Sequence, residues 1–208
     1  MKIFKKILGY KDKYSLRKKL VEIEKQVDNT YKPVRDICLS IVQAAENCKL
    51  VLKTDLNFED KKEKDLAEML VFYEYLYFFI HLTLRLALGK FTETQMKKMR
   101  EYMGPVIVGT AIDSYTKHWP EDLKEGMKNE FYDKLNQAEL EYSMCKVILD
   151  RDKPFSDNAL FTKLAKNITE LTGYNNNPVK IVEKILMSME EYAKMDLNKL
   201  VDEAAQIL

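Results

Sequence analysis

The chain has 208 residues, of which 46% are apolar and 32% charged, with only 6 glycines and 5 prolines. So few turn-forming residues exclude a protein made of many short strands, and the apolar share is enough for a sizeable core, so the composition predicts a helical protein. The 34 basic and 33 acidic side chains leave a formal net charge of +1, which excludes an overall field that would attract nucleic acid.

Residues 1–20 carry the strongest local charge of the sequence. Eight basic side chains against the single acid Asp12 give +7, and the whole-chain charge of +1 minus +7 leaves −6 for the remainder. Four apolar residues share one face of a short helix here, a pattern typical of an arm that lies on an anionic surface. The open alternative is that this face packs on the bundle while the lysines stay in water. The apolar residues are Ile3, Phe4, Ile7 and Leu8, and the candidate surface-binding residues are Lys2, Lys5, Lys6, Lys11, Lys13, Arg17, Lys18 and Lys19.

Apolar residues recur at helical spacing along most of the chain, and proline and glycine mark where helices begin and end. The β-branched segment 105–112 is compatible with a strand, but a lone strand has nothing to pair with, so helix is favoured there. Gly173 is predicted as a C-terminal cap and Asn177 as an N-cap. The predicted helices span about 3–8, 13–29, 33–52, 59–88, 92–102, 105–117, 120–149, 159–172, 178–193 and 197–208.

The fold class predicted from this pattern is all-α, a multi-helix bundle of long antiparallel helices with a smaller C-terminal helical extension. The polar stretch DRDKPFSDN, residues 150–158, is the best candidate hinge. The predicted organisation is a basic amphipathic arm, a main bundle, this connector and a C-terminal helical subdomain packed on the bundle. These segments span residues 1–12, 13–149, 150–158 and 159–208.

The segment from Val71 to Leu88 is apolar for eighteen residues apart from a threonine and three ionisable side chains. Its length invites a transmembrane interpretation, but the ionisable residues and the charged EDKKEKD before it argue against membrane insertion. At about 100° per residue, Glu74, His81 and Arg85 fall within roughly 40° of one another and form one polar stripe.

Two interpretations of this stripe are open. The favoured one is a solvent-facing seam on a mostly buried helix. The other is a polar pocket whose remaining walls come from the helix at 120–149, which offers Glu139, Glu141 and Tyr142. In that case the candidate ligand-binding residues are Glu74, His81, Arg85, Glu139 and Tyr142.

Catalytic and metal-binding patterns are not indicated. A di-iron bundle needs Glu-x-x-His motifs, and neither His81 nor His118 has a glutamate three residues before it. Cys145 with His118 as a nucleophilic pair is less favoured than Cys145 as a core residue. The sequence therefore predicts no catalytic residue, no metal and no cofactor. Three cysteines, an odd number without a secretory signal, predict reduced thiols and a cytoplasmic protein that is peripheral at a membrane surface if the arm binds lipid.

The leading functional hypothesis is a non-enzymatic helical binding or adaptor protein, which docks on a protein partner or an anionic surface through the basic arm. The alternative is a ligand-binding or enzymatic bundle with the internal polar pocket described above. Nucleic-acid binding is disfavoured because the acidic remainder leaves no continuous basic face.

Overall fold

The computed structural model describes residues 31–53, 56, 58–116, 119–146, 158–173 and 179–208. Within these ranges it contains seven α-helices and no β-strand, apart from one isolated parallel bridge between Lys146 and Ala159. The predicted all-α bundle is confirmed. The helices are α1 (Lys32–Leu52), α2 (Lys61–Leu88), α3 (Glu93–Thr116), α4 (Glu121–Ser143), α5 (Leu160–Thr172), α6 (Val179–Lys194) and α7 (Leu197–Ala205).

Several predictions fall on residues that this description does not cover. The helices predicted at 3–8 and 13–29, the basic arm with all its candidate surface-binding residues, and most of the connector at 150–158 lie outside the described residues. The same holds for His118 and for the N-cap predicted at Asn177. These remain predictions.

Helix α2 is the centre of the bundle, because it packs against α1, α3, α4, α5 and α7. An almost unbroken apolar run makes this position favourable, since a helix that is hydrophobic on most faces must be covered on most faces. It is also the one helix in the described part of the chain that is long and apolar enough to cross a membrane, and 72% of its apolar window is buried inside the protein. Its fully buried aromatic residues are Phe72, Tyr73, Tyr75, Phe78 and Phe79.

The three C-terminal helices share the core of the first four. Helix α5 packs on α2 and α6, while α6 and α7 pack on α1. The Asn47 side-chain amide donates a 2.8 Å hydrogen bond to Glu191, and Lys90 pairs with Asp202 at 2.7 Å, so polar contacts also join the two parts. The division into a bundle and a subdomain stays a prediction, and the described contacts between its two parts are extensive and largely apolar.

Most helix ends lie where the punctuation of the sequence placed them. Asp60 caps α2 by accepting backbone N–H bonds at 2.7 and 3.0 Å, and Gly173 ends α5 with φ of 75°, a left-handed conformation that glycine adopts without a Cβ penalty. The end of α4 was predicted wrongly, because this helix stops at Ser143 rather than at residue 149. The physical reason is a competing pair of backbone bonds: the N–H of Lys146 donates to Asn158 and its carbonyl accepts from Leu160.

The break predicted at Gly104-Pro105 is also wrong, since α3 runs through both residues as one helix. Proline deprives the carbonyl of Glu101 of its helical partner, but Pro105 and Glu101 are both exposed, so water can reach that carbonyl. Proline also disfavours helical backbone at the residue before it by crowding its Cβ, and Gly104 has none. Buried side chains on both sides, such as Met103 and Ile107, then hold the helix continuous.

Replacing Pro105 by alanine is expected to stabilise the protein, because it restores one helical hydrogen bond and removes no buried contact. The gain in the free energy of unfolding should reach up to about 3 kcal/mol, measured by urea denaturation. Gly104→Ala added to Pro105→Ala should give about 1 kcal/mol more, since a Cβ at Gly104 would meet the Tyr132 ring at an ordinary 3.8 Å.

Gly104→Ala alone, with Pro105 retained, should give less than in the double variant because the new Cβ meets the proline ring. Strict additivity of the two substitutions would contradict this account of how the proline is tolerated.

Candidate functional site

The polar stripe of α2 faces α4 and α5. His81 is only 4% exposed, and Glu74 and Arg85 are half-buried. The favoured expectation of a solvent-facing seam is therefore wrong, because two helices that are distant in sequence pack over this side of α2. The chemistry open to the stripe depends on the groups that Glu74, His81 and Arg85 contact.

Glu74 joins three helices. Its Oε1 accepts a short hydrogen bond from the hydroxyl of Tyr142 on α4 and a 2.7 Å bond from the side-chain amide of Asn167 on α5. The Tyr142 ring is fully buried and packs edge-on against Phe78, with ring centroids 5.8 Å apart. Because both donors come from other helices, these hydrogen bonds join α4 and α5 to α2.

Burial raises the pKa of Glu74, since a carboxylate loses hydration when helices cover it. The hydrogen bonds from Tyr142 and Asn167 oppose that rise, and the nearby charges of Glu141 and Lys163 act in opposite directions. The pKa of Tyr142 lies well above its ordinary value, first through burial and then through the negative charge of Glu74. Tyr142 therefore keeps its proton at neutral pH and serves as the donor.

His81 contacts α4 about one helical turn before Tyr142. Its Nδ1 lies 3.2 Å from Oε1 of Glu139, and its ring lies beside that of Tyr142, with centroids 5.6 Å apart. Donation from Nδ1–H to the carboxylate is the assignment that uses this contact. The other ring nitrogen, Nε2, is buried and has no hydrogen-bond partner among the described residues.

Arg85 closes the stripe at the end of α2. Its Nη1 donates a 2.8 Å hydrogen bond to the backbone carbonyl of Cys145, just beyond α4. Burial raises the pKa of the Cys145 thiol, while the positive charges of Lys163 and Arg85 oppose this rise. Because the net direction is upward, the thiol is not poised as a nucleophile.

Four of the five candidate ligand-binding residues meet in two pairs, and the fifth, Arg85, does not contact the others through a hydrogen bond among the described residues. Glu74 contacts Tyr142, His81 contacts Glu139, and Arg85 binds a backbone carbonyl. Whether they bind a ligand stays a prediction. Glu141, the other partner considered from sequence, pairs instead with Lys163 of α5 at 2.7 Å.

Sequence reasoning missed the contribution of α5. Asn167 and Lys163 lie four residues apart on that helix, next to its buried face. An asparagine inside an amphipathic helix is a weak signal, since asparagine is a poor helix former and needs another reason to be there. Nothing in the spacing along the chain could have linked α5 to Glu74, because that contact is purely tertiary.

The chemistry available to this cluster is hydrogen bonding between helices. In the part of the chain that the structure describes, no group of three His, Cys, Asp or Glu side chains is placed to hold a metal ion. No protein-family model, curated protein or solved structure matches the chain. The function proposed for it therefore rests on its own residues.

Glu74→Gln is expected to leave stability at neutral pH equal or higher, because glutamine keeps the Oε1 acceptor and removes a buried charge. A carboxyl whose pKa is raised by folding binds its proton more tightly when folded. Its stabilising effect is complete below the ordinary glutamate pKa and is lost as the pH rises through the raised value. Urea unfolding between about pH 4 and pH 8 should show this dependence in the unmodified chain and not in the variant.

Glu141→Gln is the matched control and should behave in the opposite way. The pKa of Glu141 is lowered, chiefly by its hydrogen bond from Lys163, so its contribution is present at neutral pH and is lost as the pH falls. Its removal should cost less than about 1 kcal/mol, as partly exposed pairs do. Parallel pH profiles for the two variants would contradict the assigned role of Glu74.

Proposed function

We propose that this protein is a non-enzymatic helical binding protein that docks on a protein partner or an anionic surface through its basic N-terminal arm. The observation that carries the proposal is the separation of charge along the chain, +7 in residues 1–20 and −6 in the remainder. Such a separation concentrates attraction for an anionic surface in one short segment. The apolar face of that segment adds a small hydrophobic contribution.

The hydrogen bonds that the polar stripe makes to other helices support this proposal. Glu74, His81 and Arg85 each contact a group on or next to another helix. Groups used in this way hold helices together, and a reacting substrate would have to displace the contacts that keep α4 and α5 in place. Recognition at the surface needs no such displacement.

The acidic remainder favours binding with the arm turned toward the anionic surface. A body with a net charge of −6 is repelled by an anionic surface, while the arm is attracted. Binding should therefore be weakened by salt, because screening acts on the exposed charges of the arm over a Debye length of about 8 to 10 Å. The attraction is reversible, since one short helix is not a permanent anchor.

Deletion of residues 1–11 is expected to abolish salt-sensitive sedimentation with vesicles that contain phosphatidylserine. The deletion removes four lysines, each worth about 1 kcal/mol near an anionic membrane. The thermal midpoint should change little if the arm contributes nothing to the core. A fall of many degrees would show that Ile3, Phe4, Ile7 and Leu8 pack in the fold, and would contradict a separable arm.

A charge-matched pair of variants separates the arm from general electrostatics. Neutralising three arm lysines should weaken vesicle binding, whereas neutralising three exposed body lysines should not. Equal loss in both would contradict the proposal. The arm variant changes Lys2, Lys5 and Lys6 to glutamine, and the control changes Lys61, Lys97 and Lys199.

The alternative function, an internal site for a small anionic ligand, is favoured by one observation. Nε2 of His81 is buried without a partner in the described residues, and a ligand atom could supply one. This alternative predicts that inorganic phosphate raises the thermal midpoint and that Arg85→Leu abolishes the rise. Equal midpoint shifts in the two proteins, measured by differential scanning fluorimetry, would contradict it.

A further inference from the structure

Three helix ends meet at one end of the bundle. Arg85, near the end of α2, binds the carbonyl of Cys145, just past α4, at 2.8 Å. The carbonyl of Lys146 accepts the N–H of Leu160 at the start of α5, at 2.9 Å. The C-termini of α2 and α4 and the N-terminus of α5 therefore lie next to one another at the surface of this end of the bundle.

Large apolar side chains are exposed on the helix ends that form this surface. Leu140 and Met144, four residues apart, are 70% and 77% exposed, and Leu88, within one turn of Arg85, is 63% exposed. Single exposed apolar residues need no explanation, but three of the six large ones exposed in the described ranges belong to the ends of α2 and α4.

Basic side chains accompany them. Lys146 and Lys166 are exposed, and Lys163 and Arg85 are partly so. Lys163 pairs with Glu141 at 2.7 Å and Arg85 binds the Cys145 carbonyl at 2.8 Å, so both lie beside the end of α4, and Lys166 follows Lys163 by three residues on α5. Two acids on α4 are paired here, Glu141 with Lys163 and Glu139 with His81. We call this surface the basic apolar patch, formed by Leu88, Leu140, Met144, Arg85, Lys146, Lys163 and Lys166.

We propose that the basic apolar patch is a second contact with an anionic membrane surface, at which Leu88, Leu140 and Met144 enter the headgroup region while the lysines bind lipid phosphates and carboxylates. This inference rests on the proposed function, because the arm brings the chain to the surface first. It adds that the bundle itself touches the lipid, in one orientation.

Charge and size favour lipid over a protein as the occupant. The long stems of lysine let the ammonium groups stay with the headgroups while neighbouring apolar side chains are buried. A stable protein interface needs about 800 Å² from each partner, whereas three apolar side chains form a small area that suits shallow insertion. The arm also combines lysines with a few apolar residues, so the arm and the patch would bind the same kind of anionic surface.

Cys145 allows the contact to be observed directly. Its side chain is partly exposed between Met144 and Lys146, whereas Cys38 and Cys48 are buried and burial raises their pKa far above the ordinary value. A polarity-sensitive fluorophore can therefore be placed selectively on Cys145 of the full chain. Sedimentation of the same sample measures binding independently.

With vesicles of phosphatidylserine and phosphatidylcholine, the fluorophore on Cys145 is expected to shift to the blue, and with phosphatidylcholine alone it is not. Lys146→Gln with Lys166→Gln should weaken binding by roughly ten- to thirty-fold, from the value of a basic residue near such a membrane. Leu140→Ser with Met144→Ser should remove the shift. The matched controls are Leu50→Ser, which is 51% exposed on α1, and Lys97→Gln with Lys199→Gln, and neither should change binding.

The outcomes separate this inference from the proposed function. If the chain sediments with acidic vesicles but the fluorophore does not shift, the arm binds and the patch proposal is overturned. If nothing sediments with acidic vesicles, lipid binding by the arm is contradicted, and the patch proposal that rests on it is overturned as well. A shift that depends on protein concentration without vesicles would identify a second copy of the chain as the occupant and would equally overturn the proposal.

Discussion

Helix α2 buries six aromatic residues and an imidazole, and on the same side as the imidazole it carries a half-buried carboxylate. The apolar faces require cover from several helices, and the polar face requires hydrogen-bond partners, because an unpaired buried charge costs several kcal/mol. The same helices meet both requirements, because α4 and α5 pack on α2 and also supply the two donors to Glu74. The hydrogen bonds to this one carboxylate therefore join both helices to α2.

The same constraint explains why the polar stripe is specific in its geometry. Apolar packing alone tolerates small rotations of a helix, whereas a donor must lie at hydrogen-bonding distance in a fixed direction. Tyr142 supplies an aromatic surface to Phe78 and a hydroxyl to Glu74 from one side chain. It therefore couples the apolar core to the polar cluster.

The two proposed membrane contacts, the N-terminal arm and the basic apolar patch, arise in different ways. The arm is a local property of the sequence, since its charge and its apolar face lie within about twenty neighbouring residues. The basic apolar patch is assembled from α2, α4 and α5, and its members are up to 81 positions apart in sequence, from Arg85 to Lys166. A surface of that kind acts only when the bundle is folded, whereas an arm does not depend on the bundle in this way.

The sequence by itself determined the helical class, most helix boundaries and the polar stripe, because periodicity and caps are local and 100° per residue fixes a face. Under the less favoured pocket interpretation it also offered Glu139, Glu141 and Tyr142 as partners for the stripe, because all three lie on one long helix. Only the tertiary structure decided that α4 and α5 cover the stripe, that Asn167 completes it, and that Gly104-Pro105 passes without a break. Each of these depends on which residue distant in sequence arrives at a given position, or on whether a carbonyl faces water, and packing alone settles those questions.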